Sequence, residues 1–164
     1  MRSIKLILHN KTKIAALIGA LFFLFFIGIL VPLWFSNYLP LSGVGYFFSE
    51  NIIYSLITAL ILLYFIMVGG YYYHIKIDTY VIQVTSYRVV FNLLKEKDYI
   101  DIPHHMLIDY ELLDKPLSLN KTLIVKINTN SGKKITKRFN FTLVSKKEIK
   151  KIISALDSVM TRNK

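Results

Sequence analysis

The stretch FIMVGGYYYHIKIDTYVIQVT, residues 65–85, opens as unbroken apolar chain, passes through Gly69, Gly70 and three tyrosines, and closes as an alternating strand. It marks a change of solvent. From Ile14 to Ser49 there is no Asp, Glu, Lys or Arg, whereas from His74 onward charges recur every few residues. Among 164 residues 54% are hydrophobic, too apolar for an ordinary soluble chain, so a membrane-bound part and a water-exposed part are expected.

Two runs can sit in lipid. Ile14 to Phe35, at roughly 1.5 Å of rise per residue, covers about 33 Å, close to the hydrocarbon thickness of about 30 Å. Ile52 to Tyr73 is as long, and its last tyrosines, Tyr72 and Tyr73, are expected at headgroup level. The first run begins behind a basic stretch, as a signal peptide does, but it exceeds the usual apolar core of one and lacks an A-x-A site before the next span. Residues 36 to 51 between the runs carry Glu50 and no Lys or Arg, while Arg2, Lys5, Lys11 and Lys13 precede the first run and the other basic residues follow the second. The positive-inside rule then sets a multi-pass hairpin in the cell membrane, both termini cytoplasmic. Pro32 is expected to kink or end the first helix, with Trp34, Tyr38 and Tyr46 anchoring that end. Ala15 with Gly19, Ala16 with Ala20, and Ser55 with Ala59 are small residues one turn apart; they either let the helices approach closely or simply face lipid. No charge inside the spans offers an ion or proton path.

Beyond Thr79 the hydrophobic period is two. Tyr80, Ile82 and Val84 share one face, and Val81, Gln83 and Thr85 the other; Thr85-Ser86-Tyr87-Arg88 reads as a turn into a second strand over residues 89–94. Tyr99 to Pro103 and Leu107 to Leu113 read as short strands, the first of them limited by its proline. Lys121 to Asn128 and Lys134 to Phe141 flank a polar, Gly-containing loop and form a hairpin. Ser145-Lys146-Lys147-Glu148 has the form of a capping box, with Val144 and Ile149 placed as a hydrophobic staple. After it Ile149, Ile152, Ile153, Leu156, Val159 and Met160 recur on one helical stripe. An amphipathic C-terminal helix closing one end of a curled antiparallel sheet accounts for both patterns.

The run Tyr80 to Phe91 with its Thr85-x-x-Arg88, the Ile100-Asp101-Ile102-Pro103 segment and the terminal helix together resemble the bacterial pleckstrin-homology-like (PH-like) domain family, found behind a pair of N-terminal membrane helices. The resemblance covers roughly Ile75 to Met160 plus the apolar hairpin, and departs where Asn92-Leu93-Leu94-Lys95 replaces the family's glycine after the second strand. It implies an α+β fold, a PH-like partly open antiparallel barrel or sandwich capped by the C-terminal helix, and assigns Thr85 and Arg88 to the family turn. It implies the partition 1–13 basic N-terminus, 14–73 membrane hairpin and 74–164 cytosolic domain. Some two-helix members are similar to self-protection proteins encoded beside leaderless bacteriocins. A fold of this kind does not by itself fix a function.

The net charge of +11 suits anionic partners. Lys134 and Arg138 share a strand face with Thr136, Lys137 lies beside them, and Lys146, Lys147, Lys150 and Lys151 cluster on the terminal helix. Lys134, Lys137, Arg138, Lys146, Lys147 and Lys150 are the expected contacts to the anionic inner leaflet, each adding about 1 kcal/mol of attraction near the surface. Nucleic acid is not expected, because no binding motif accompanies the charge. Without cysteine there is no disulfide, thiolate ligand or Cys nucleophile. His104 and His105 are adjacent, so on a strand they diverge and cannot share a metal. Asp98, Asp101, Asp109, Glu111 and Asp114 come with no paired His, Gly-rich phosphate loop or H-E-x-x-H signature to orient them, so neither enzyme nor cofactor is expected. The reading is a membrane-held binding module. Its partner is either an antimicrobial peptide, against which it confers immunity, or a larger membrane complex such as an exporter, which it serves as an accessory subunit.

Overall fold

The computed structural model describes residues 5–89, 98–114, 118–129 and 131–163. The chain divides into two compact units, one joining the residues before Ala15 to those from Gly70 onward, the other Ala15–Gly69.

The first unit is built on two antiparallel sheets. Strands β1 (Leu6–His9), β2 (Tyr71–Ile77), β3 (Val81–Arg88) and β4 (Asp98–Pro103) form one in the order β1-β2-β3-β4. Strands β5 (Leu107–Asp114), β6 (Asn120–Asn128) and β7 (Lys134–Thr142) form the other in the order β5-β6-β7. Period-two alternation turns Tyr73, Ile75 and Ile77 of β2, Ile82 and Val84 of β3, and Leu123, Val125 and Ile127 of β6 into one core with Phe139 and Phe141 of β7. Helix α5 (Lys146–Asn163) adds Ile152, Leu156 and Val159 to it, in line with the stripe read from the sequence.

Several expected elements form as read. The β6–β7 hairpin pairs Asn128 with Lys134, and its loop is closed by Thr129 N–H donating to Lys133 O at 2.9 Å. Gly132 there takes φ +75°, which favours glycine. The capping box is reciprocal: Glu148 N–H donates to Ser145 Oγ at 3.2 Å, and Ser145 N–H to Glu148 Oε2 at 2.7 Å. Pro103 ends β4, at the sheet's edge, where its missing N–H disturbs no ladder.

Three expectations about the sheet unit need correction. Tyr72 and Tyr73 do not continue the second apolar helix: α4 (Ile53–Val68) ends at Gly69, which takes φ +74°, and β2, starting at Tyr71, carries both tyrosines into the sheet. Tyr73 is fully buried with its ring 4.8 Å from that of Phe141. Thr85 and Arg88 form no turn, because β2 reaches far enough back to hold β3 straight, pairing Tyr71 with Arg88 and His74 with Thr85. The second strand expected at 89–94 and the Asn92–Lys95 departure lie, apart from Val89, outside the described residues. Leu6–His9, read only as basic N-terminus, pairs with β2 from Leu6 opposite Ile77 to His9 opposite His74.

Asn10 secures this strand at the core. Its buried side chain accepts from Tyr73 N–H and donates to Tyr71 O and Thr142 O, all at 2.9 Å. Lys13 follows, donating from Nζ to Glu148 at 2.8 Å and to Leu143 O at 3.1 Å. The α5 cap is thus also the receptor of an N-terminal lysine. At the β7–α5 corner Leu143 takes φ +57°, the one non-glycine in that region among the described residues.

In the second unit, α1 (Lys11–Phe25, its first turn in the sheet unit), a π-helical turn at Phe26–Leu30 and α2 (Val31–Tyr38) make one continuous helix, Lys11–Tyr38, long and apolar enough to cross a membrane. Pro32 does not end it. Within the π turn Val31 N–H already bonds Phe26 O, which takes up the irregularity before Pro32 enters at the start of α2. Helices α3 (Gly43–Glu50) and α4 pass the same test only as a pair, bent by 61°. Close approach between helices occurs at Gly28, where an added Cβ would fall 2.4 Å from Thr58 Oγ1. Gly19 has open space beside it, and Ala15, Ala16, Ala20 and Ala59 are exposed. Of the expected small residues only Ser55 is half-buried, and the others match the alternative of an outward-facing surface.

Candidate anion-binding surfaces

The expected cationic contacts separate into two surfaces. On β7, Lys134, Thr136 and Arg138 point away from the core, and the β6 residues opposite them are Asn128, Lys126 and Ile124. Lys137 points the other way, on the side of Ile135 and Phe139. The basic outer face is also diluted. Lys126 donates to Asp109 of β5 at 2.8 Å, and Glu111 stands opposite Ile124 on the same side. That pairing pulls the Asp109 carboxyl below its ordinary range.

Lys137 and Ile135 instead line a groove with Ile102, Met106, Ile127, Thr129 and Ser131, about 450 Å³ in volume. Its walls come from both sheets, at the end of the sheet unit away from Asn10. It is mostly apolar, with Lys137 the one charged side chain among the described residues that line it.

On α5, Lys147, Lys150 and Lys151 meet Lys5, which immediately precedes β1. With Leu6, Ser154, Ala155 and Ser158 they line a cleft of about 440 Å³. Lys146 is exposed and lies outside it. The helical positions were legible from spacing; Lys5 was not, because a lysine in a short N-terminal segment gives no local sign of the strand it joins.

The remaining candidates serve the fold. Tyr110 O–H donates to Asp157 at 2.5 Å, fastening α5 to β5; burial first, and then that carboxylate, push the tyrosine's pKa up. Asp101 accepts from Gln83 and from Tyr99, each at 3.0 Å, and Asp114 pairs with Lys121. His104 is buried in a short 3₁₀ turn, His104–Met106, with Nε2 unbonded, and burial is the main cause lowering its pKa. Among the described residues no group of three His, Cys, Asp or Glu is placed to hold a metal ion.

No family model, curated protein or solved structure matches the chain. The surfaces above offer fixed cations and an apolar groove.

Proposed function

We propose that the chain is a non-catalytic binding module of PH-like architecture held at the cell membrane, whose specific role is to protect its own cell against a membrane-active, bacteriocin-type peptide. The observation that carries the membrane reading is the bond set at Asn10. It ties the residue just before the apolar segment to Tyr71 and Tyr73 just after it. With β1 and β2 adjacent strands of one sheet, a segment leaving from β1 and returning to β2 starts and finishes on the same side of any bilayer it enters. It crosses an even number of times. The surplus of Lys and Arg outside that segment favours the cytoplasmic side for the sheet unit.

The PH-like reading is supported by two antiparallel sheets that share one core with a C-terminal amphipathic helix. The groove at Ile102, Met106, Ile127 and Ile135 has the volume and apolar lining that suit side chains of a bound peptide. Two measurements test the proposal. The chain has no cysteine, so single substitutions report cleanly: Ser42→Cys between α2 and α3 is expected to react with an impermeant maleimide on intact cells, and Ser131→Cys is not. Expression in a sensitive strain is expected to raise the inhibitory concentration of leaderless peptides, and Ile135→Asp to abolish the rise. No rise across a panel of such peptides, together with a stable companion protein after crosslinking, would replace protection with an accessory role in a membrane complex.

A further inference from the structure

We infer that the cleft between β1 and α5 binds a phosphate-bearing polyanion through Lys5, Lys147, Lys150 and Lys151. This rests on the reading of the sheet unit as a binding module, and it adds a ligand class that the groove between the sheets does not address. Positions 147, 150, 151, 154 and 158 fall on one face of α5 by helical spacing, beside the stripe that enters the core. The strand wall brings Lys5 against them from the far end of the sequence, and the small Ala155 side chain leaves room between. The four lysines line an open, shallow depression of about 440 Å³, which suits a solvent-facing anionic group rather than an enclosed molecule.

What distinguishes this cluster from a solvated basic face is the absence of any counter-charge. Among the described residues no carboxylate lines the cleft. Both acidic residues of α5 are engaged elsewhere, Glu148 by Lys13 and by Ser145 N–H, Asp157 by Tyr110. Among the described residues none of the four lysines forms an ion pair. The β7 face differs on this point, since Lys126 there is already paired with Asp109.

Like charges gathered at one cleft repel, and an anion of two or more charges relieves every pair at once. Phosphate fits that demand better than a lone carboxylate. A phosphomonoester carries about −1.5 to −2 charge near pH 7 and three acceptor oxygens, and ammonium groups with rotatable donors can meet them from separate walls. Ser154 supplies a hydroxyl at the same cleft, while the Ser158 hydroxyl donates to Ser154 O at 2.7 Å. A lipid headgroup and a free phosphate compound share this chemistry.

The test is titration of the full chain, in neutral maltoside micelles, with inorganic pyrophosphate. Saturable binding is expected, weakening as salt is raised. Lys150→Gln with Lys151→Gln should lower affinity at least tenfold, and Lys5→Gln severalfold; Lys134→Gln with Arg138→Gln should leave it unchanged. All these positions are exposed, and the cleft variants should melt at or slightly above the parent temperature because repulsion is removed. To separate the sources, lysine acetylation is read in nanodiscs of phosphatidylcholine with and without phosphatidic acid. Protection of Lys150 and Lys151 by phosphatidic acid assigns a headgroup; protection only on adding pyrophosphate assigns a soluble ligand. No protection in either arm, equal loss of binding from the β7 pair, or tighter cleft-dependent binding of a DNA oligonucleotide overturns the inference. Peptide resistance is read separately, so failure of one claim is not mistaken for failure of the other.

Discussion

Replacing Asn10 by alanine removes the side chain that joins the start of α1 to β2 and β7. Three bonds go together: Tyr73 N–H loses its acceptor, and Tyr71 O and Thr142 O lose a donor. Tyr73 and Thr142 are 0% and 1% exposed, so water cannot replace the lost partners without opening the core. A buried group left unsatisfied costs about 1–3 kcal/mol, and two such groups bring the expected loss to about 2–6 kcal/mol. Total stabilities are about 5–15 kcal/mol, so the loss is a large share of the whole. Asn10→Asp should be no milder near neutral pH, since it keeps the acceptor for Tyr73 but sets a carboxylate against two carbonyl oxygens. The assay is urea unfolding of the full chain in neutral micelles, paired with hydrogen exchange at the Tyr73 amide. Ile7→Ala is the control on the strand that Asn10 follows, at a side chain 49% exposed, and should stay within about 0.5 kcal/mol of the parent. A change below about 1 kcal/mol for Asn10→Ala, with the Tyr73 amide still protected, would refute the assignment of Asn10 as the junction.

Phe139→Ala, in the fully buried inner layer of β7, is expected to cost about 3–5 kcal/mol, while Lys137→Ala two residues earlier should have little effect; denaturant midpoints compare them. For Glu148, burial alone would raise the carboxyl pKa, but bonds from Lys13 and Ser145 outweigh it and the net direction is down. A depressed carboxyl contributes stability that is present above its unfolded value of about 4.3 and lost as pH falls through the folded one. Glu148→Gln should therefore be less stable than the parent near neutrality and lose less on acidification, as unfolding curves between about pH 5 and pH 3 would show. His74 is lowered by burial first, then by His9, whose ring centroid lies 6.4 Å away, and Lys76. Its neutral form is the one the fold favours, so stability is full above about pH 6.5 and declines as pH falls below it. Protection factors over Leu6–His9, the intrinsic exchange rates divided by the observed ones, should fall in that window, and His74→Gln should flatten the response.

Elements whose signals are local were legible in the sequence. The capping box at Ser145 and Glu148 lies within one helical turn, the β6–β7 hairpin is closed by a short polar loop, and the stripe from Ile149 to Met160 repeats within a single helix. Each depends on how neighbouring residues orient one another, so spacing suffices. The long apolar helix Lys11–Tyr38 was equally plain, because an unbroken lack of charge needs no partner to be recognised. The misread elements depend on chain brought from elsewhere. Tyr71 to Tyr73 continue an apolar run and look like an interface until β3 and Asn10 take their backbone groups. Leu6–His9 is too short to declare itself, and becomes a strand because β2 offers it an edge.

The same division holds for the candidate site. Composition and helical spacing by themselves determined that α5 would carry a basic face beside a buried one. Tertiary structure alone decided that Lys5 would join that face, that Lys137 would turn away from Lys134 and Arg138, and that Asp109 would neutralise charge near β7 but none near α5. A side chain's direction follows from the local backbone period, whereas the charge facing it across a cleft is set by strand pairing and helix docking between residues far apart in the chain.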